Sequence, residues 1–187
     1  MKKNKEKKNN DSWIYILLLT TLLILTESLK NYTFKVMDVK LTYSLFLLPI
    51  AYFLINYIAK KYDYKKAIAA IAISGVVFTS YSVIMAYFLE SRYILRSLSG
   101  EFCAYVVSGF INLTIYMFLL NNTESPRLLV LFNYIFSLVI YYMFYTLIYL
   151  NMMMLDTYWI GYFITLSIQL FICIGLTIVD SKVRRGQ

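Results

Sequence analysis

Apolar residues run through this chain in blocks of about 20, a length matched to the hydrocarbon thickness of a bilayer. Six blocks predict six helices, Trp13–Leu29, Leu41–Ala59, Ala67–Leu89, Phe102–Leu120, Leu128–Leu150 and Thr157–Val179. Only helices and closed barrels satisfy their backbone hydrogen bonds in lipid, and runs this long read as helices. The expected fold is an all-α integral membrane protein, a six-transmembrane-helix bundle spanning 13–179. Basic tails flank it over 1–12 and 180–187. The first block follows a lysine-rich start, but its apolar core is long and no A-x-A-like cleavage site follows, so it reads as a retained helix.

Within the blocks, polar positions recur at helical spacing, so each set forms one stripe on an apolar cylinder. The second block carries Pro49, Tyr52 and Asn56, and the fourth carries Tyr105, Ser108, Asn112 and Tyr116. The fifth carries Asn133, Ser137, Tyr141 and Tyr145, and the sixth Tyr158, Tyr162, Thr165 and Gln169. An amide facing lipid is costly, so the stripes should point into the bundle. There they either bond helix to helix or line a cavity. Amides and aromatic rings suit a planar, neutral, hydrogen-bonding solute, the amides meeting its edges and the rings its faces. The candidate substrate-binding set is therefore Pro49, Tyr52, Asn56, Ser108, Asn112, Asn133, Ser137, Tyr141, Thr165 and Gln169. Pro49 is expected to free a backbone carbonyl near the middle of its helix. In the third block Ala67, Ala70, Ser74, Gly75 and Thr79 form a small-residue face that reads as packing, with partner docking as the sharper alternative.

Charge adds orientation. The 187-residue chain is 60% hydrophobic and carries a formal charge of +8. Its basic residues flank the apolar blocks, which points to membrane topology and away from nucleic acid. Thirteen Lys and Arg fall in the N-terminal tail, Lys60–Lys66, Arg127 and the C-terminal tail. Five (Lys30, Lys35, Lys40, Arg92 and Arg96) fall on the other side. The positive-inside rule then places both termini in the cytoplasm, in a multi-pass protein of the plasma (inner) membrane.

Chemistry is sparse. There is no His, and Cys103 and Cys173 are isolated within apolar blocks, so neither a metal nor any other cofactor is expected. No G-x-x-x-x-G-K-[ST], H-E-x-x-H or G-x-S-x-G motif is present, so the chain does not read as an enzyme. The helix centres are expected to lack charge, leaving no buried carrier for proton coupling.

The stretch LPIAYFLINYIAKKYDYKKA, Leu48 to Ala67, resembles the signature of the vitamin uptake transporters, also known as queuosine precursor transporters. Pro49, Tyr62, Tyr64, Lys65, Lys66 and Ala67 match it, and Ser137 and Ile140 match a fifth-helix region faintly. The family's acidic positions hold Asn56, Lys60 and Tyr141 here, and its loop glycine is Asp63. The resemblance implies six helices, cytoplasmic ends and import of a small planar nutrient, a queuosine precursor or a nucleobase-like or vitamin-like molecule. Two alternatives stand beside it. One is the substrate-binding subunit of an energy-coupling-factor vitamin importer, with an energising ATPase partner. The other is a non-transporting membrane accessory protein. The expected partners are a small-molecule substrate and the lipid bilayer, with an ATPase or a second copy of the chain as further candidates.

Overall fold

The computed structural model describes residues 11–29, 32–36, 39–88, 94–122, 127–149 and 155–185. Helix α1 (Ser12–Ser28) leads into a hairpin of β1 (Thr33–Val36) and β2 (Val39–Thr42). A 3-10 turn (Tyr43–Phe46) follows, then α2 (Leu48–Lys61), α3 (Tyr64–Phe88), α4 (Ile94–Asn122), α5 (Arg127–Tyr149) and α6 (Leu155–Arg185). Five spans, Tyr43–Lys61, Tyr64–Met85, Gly100–Asn121, Arg127–Leu147 and Ile160–Lys182, are long and apolar enough to cross a membrane. The 17-residue α1 is also apolar but shorter; at 1.5 Å per residue it covers about 26 Å.

The surface is turned inside out relative to a water-soluble domain. Phe163, Phe171 and Leu128 are 74%, 76% and 78% exposed, while Asn56, Asn112, Asn133 and Gln169 are fully buried. Water would not tolerate so many exposed large apolar side chains around an amide-bearing interior; lipid tails match them.

Helix α2 lies at the centre and touches α1, α3, α4, α5 and α6. Its starting point corrects the sequence expectation. Leu41 and Thr42 belong to β2, paired in antiparallel register with Phe34 and Thr33. Pro49 therefore sits in the first turn of α2, not near its middle. The first amides of a helix have no partner within it, so a residue without N–H fits there, and no mid-helix carbonyl is freed. The bundle is predominantly helical as expected, and among the described residues it also carries one two-stranded hairpin that the expectation did not include.

Between α2 and α3 the chain turns within two residues. The Lys66 backbone N–H donates to Asp63 Oδ1 at 2.6 Å, which makes Asp63 the N-cap of α3 and starts that helix three residues before Ala67. Lys60 and Lys61 occupy the last turn of α2, where their charge complements the negative end of the helix dipole. Lys61 Nζ donates to the Tyr15 hydroxyl at 2.8 Å and lies 4.5 Å from the centroid of that ring, tying α1 to α2. Burial lifts the neighbouring Tyr62 hydroxyl above its usual pKa, against the opposing pull of Lys61.

The small face of α3 is spent on packing. Ala67, Ala70 and Ser74 are fully buried, and Ser74 shares a 2.8 Å hydrogen bond with the Tyr105 hydroxyl on α4. A Cβ on Gly75 would lie only 3.2 Å from the Phe102 ring, so glycine sets that close approach. Leu89, Leu150, the side chain of Tyr158 and the N-terminal lysines lie outside the described residues. At the other end, α6 continues through the expected tail to Arg185.

Candidate functional site

The polar stripes separate into two structures. The first is a packed amide layer joining α2, α4 and α5. Asn112 Nδ2 donates to Asn56 Oδ1 at 2.8 Å, and Asn133 Nδ2 donates to Asn112 Oδ1 at 2.9 Å and to the Asn112 carbonyl at 3.1 Å. Ser137 donates to the Asn133 carbonyl at 2.7 Å, with Asn112 Oδ1 a further 3.4 Å neighbour. One turn away, Ser108 donates to the Ala104 carbonyl at 2.5 Å and so accepts from the Tyr52 hydroxyl at 2.6 Å. Tyr52, Asn56, Ser108, Asn112, Asn133 and Ser137 are all fully buried, and none of them lines the large cavity described below.

This layer holds because each residue lies at i, i+3, i+4 or i+7 from the next on its own helix, which aligns the groups on one face. In a low-dielectric interior each amide needs partners; Asn56 and Asn112 supply one another's, while Asn133 Oδ1 has no hydrogen-bond partner among the described residues. Gln169 is buried apart from this layer. Its Nε2 donates to the Leu45 carbonyl at 2.8 Å and fastens α6 to the 3-10 turn, while its Oε1 has no hydrogen-bond partner among the described residues.

The second structure is a cavity of about 640 Å³ at the end of the bundle that carries the hairpin. Val39 to Thr42 of β2, Thr26 at the end of α1, and Ser44, Leu45 and Leu48 form part of its wall. The rest comes from Glu101 on α4, Tyr141, Tyr142 and Tyr145 on α5, and Ile160, Gly161, Tyr162 and Thr165 on α6. Two ring pairs organise it. Tyr141 and Tyr145 stack with centroids 6.3 Å apart and planes 2° apart, and Tyr142 meets Tyr162 at 5.2 Å. Thr146 donates to the Tyr142 carbonyl at 2.7 Å and shares a 2.8 Å hydrogen bond with the Tyr162 hydroxyl, which steadies the second pair. The hairpin packs near α6 at Gly161, where a Cβ would meet Val39 Cγ1 at an ordinary contact distance of 3.5 Å.

Of the ten residues singled out in the sequence, only Tyr141 and Thr165 line this cavity. Pro49 is buried in the first turn of α2 and does not reach its wall. The residue that sequence reasoning passed over is Glu101. Helix α4 starts at Ile94, so Glu101 lies about two turns inside it, 3% exposed. Asp180 is its counterpart on α6, 4% exposed and accepting a 2.7 Å hydrogen bond from the Tyr116 hydroxyl. Both carboxylates are buried near the ends of their spans, Gly100–Asn121 and Ile160–Lys182, and leave the helix centres uncharged. Both extend stripes visible in the sequence: Glu101 lies four and seven residues before Tyr105 and Ser108, and Asp180 eleven after Gln169. No group of His, Cys, Asp and Glu among the described residues could hold a metal ion.

Together these features define a class, a multi-pass helical membrane protein with an amide-locked core and an aromatic cavity at one end. Compared with family models, curated proteins and solved structures, the chain matches none.

Proposed function

We propose that this is an integral membrane transporter importing a small planar solute of the nucleobase, queuosine-precursor or vitamin type. The hairpin-end cavity is its outward-facing binding site. The observation that carries this reading is the cavity itself. Its 640 Å³ falls within the range of small-molecule sites, and its walls offer four tyrosine rings with a few polar groups among apolar ones. The resemblance of Leu48–Ala67 to a nutrient-uptake signature supports the same class. The excess of Lys and Arg at the other end of the bundle supports cytoplasmic termini in the plasma membrane, with the hairpin outside.

In this reading the solute enters past the hairpin, and its ring lies against Tyr141, Tyr142, Tyr145 or Tyr162. The amide layer closes the path beneath it. Moving the solute onward requires the α2, α4 and α5 contacts of that layer to part.

The interhelical bonding of the amide layer favours a second reading, a non-transporting accessory protein whose polar stripes are structural. Proteoliposomes offered a panel of labelled nucleobases, deazapurines and vitamins decide between the two. Saturable uptake of one of them supports the transporter. Absence of both binding and uptake across the panel supports the accessory role.

A further inference from the structure

We propose that Gln169 reads a hydrogen-bond donor on the solute. Its free Oε1 accepts an N–H from the leading edge of a planar lactam, amide or amino-substituted ring, so the site prefers such molecules over acceptor-only rings of the same shape. This rests on the reading of the cavity as the solute site and narrows its substrate class.

Gln169 lies one turn beyond Thr165 on α6, and Thr165 one turn beyond Gly161; the last two line the cavity. Residues four apart share a helix face, so this stripe runs from the wall toward Gln169, near the middle of the Ile160–Lys182 span. Two further wall residues flank its amide. Nε2 donates to the Leu45 carbonyl at 2.8 Å, and the Tyr142 hydroxyl stands beside the same amide. A carbonyl only accepts, so the Leu45 bond fixes the orientation of the amide: Nε2 is held and Oε1 is the free end. Gln169 is 0% exposed, and Oε1 has no hydrogen-bond partner among the described residues. A buried acceptor without a donor is costly, and native interiors rarely leave one so. Asn133 Oδ1 is equally bare, but it belongs to the amide layer and not to the cavity wall. A donor arriving with the solute removes the cost at Gln169, whereas a ring without one leaves it in place. Sites built on such a bond discriminate more strongly than apolar contact does. Reaching Oε1 takes a side-chain shift at the wall, of the kind common on binding. The tyrosine rings meet the solute's faces and leave its edge to Gln169.

The test compares two ring-matched probes on the full chain in nanodiscs: benzamide, which carries an amide N–H, and acetophenone, in which a methyl group replaces it. Wild type should bind benzamide about tenfold or more tighter at equal free concentration, although acetophenone is the more apolar of the two. Gln169→Met keeps the unbranched shape and removes the acceptor. It should bring benzamide down to the acetophenone level and leave acetophenone within about threefold of wild type. Acetophenone binding to wild type as tightly as benzamide, the result expected if water alone satisfies Oε1, overturns the proposal. So does a Gln169→Met variant that keeps the preference, or one that loses both probes in parallel, since Gln169 would then only hold the wall in place. If Gln169→Met does not fold, the wild-type pair alone decides. Nutrient uptake with no preference for benzamide sinks this inference and leaves the transporter standing. Loss of all binding and uptake in wild type removes both.

Discussion

Asn112 is the keystone of the amide layer, and replacing it with leucine measures what that layer contributes. The substitution keeps the branching of the side chain, adds some bulk, and removes two short hydrogen bonds, to Asn56 Oδ1 at 2.8 Å and from Asn133 Nδ2 at 2.9 Å. Interhelical bonds of this kind are worth about 0.6–1.7 kcal/mol each. Asn133 keeps the Asn112 carbonyl as an acceptor, but Asn56 Oδ1 loses its short-range donor inside the bundle. A stranded buried acceptor costs about 1–3 kcal/mol, so Asn112→Leu should destabilise by about 2–5 kcal/mol. Asn56→Leu removes only one of the short bonds and should cost about 1–2 kcal/mol. The double variant should fall short of the sum by about 1 kcal/mol or more, because removing both partners strands neither. Reversible unfolding in detergent micelles reads all three. Thr114→Leu serves as control, since Thr114 is exposed and bonds only its own helix through the Phe110 carbonyl. If Asn112→Leu costs no more than Thr114→Leu, the layer is not what holds α2, α4 and α5 together.

Further outcomes follow from the helix ends and the charge distribution. Pro49→Ala should shift stability by less than about 0.5 kcal/mol, because the first turn needs no amide there; a shift above about 1.5 kcal/mol would argue for a kink instead. Asp63→Ala should cost about 1 kcal/mol through loss of the α3 cap, and thermal denaturation that leaves it unchanged would remove that role. Single cysteines at 63 and 94 should be labelled from opposite sides of the membrane, 63 from the cytoplasm, and outside labelling of 63 would invert the orientation.

Much of the bundle was legible in the sequence because lipid leaves so few options. Five of the six blocks map onto spans long and apolar enough to cross a membrane, since an apolar run of that length can satisfy its backbone only as a helix. The hairpin was not read. Thr33–Val36 and Val39–Thr42 alternate with period two across a two-residue connection, but Leu41 and Thr42 were absorbed into the apolar block behind them. That shift carried Pro49 to an imagined mid-helix position. The inward stripes were visible from spacing alone, yet spacing does not distinguish a bonded layer from a cavity wall. Asn112 and Tyr141 look alike in a periodic pattern, and only the neighbouring helices decide that one is locked and the other lines open space. Glu101 was lost to a boundary error. It follows Gly100 at the edge of an apolar block, and taking Phe102 as the first helical residue left it in a loop, although the stripe it extends was already in hand.

The central claim is that the hairpin-end cavity takes the solute and the amide layer does not. The most direct measurement is saturable binding of the solute identified by proteoliposome uptake, compared between Gly161→Leu and Asn56→Leu. A leucine at 161 extends from a cavity-lining position past Val39 into the open space, whereas Asn56 is fully buried outside its wall. Gly161→Leu should weaken binding by about tenfold or more while the protein stays folded, and Asn56→Leu should stay within about threefold of wild type despite its lower stability. The opposite pattern, with binding intact in Gly161→Leu and abolished in a folded Asn56→Leu, would contradict the account.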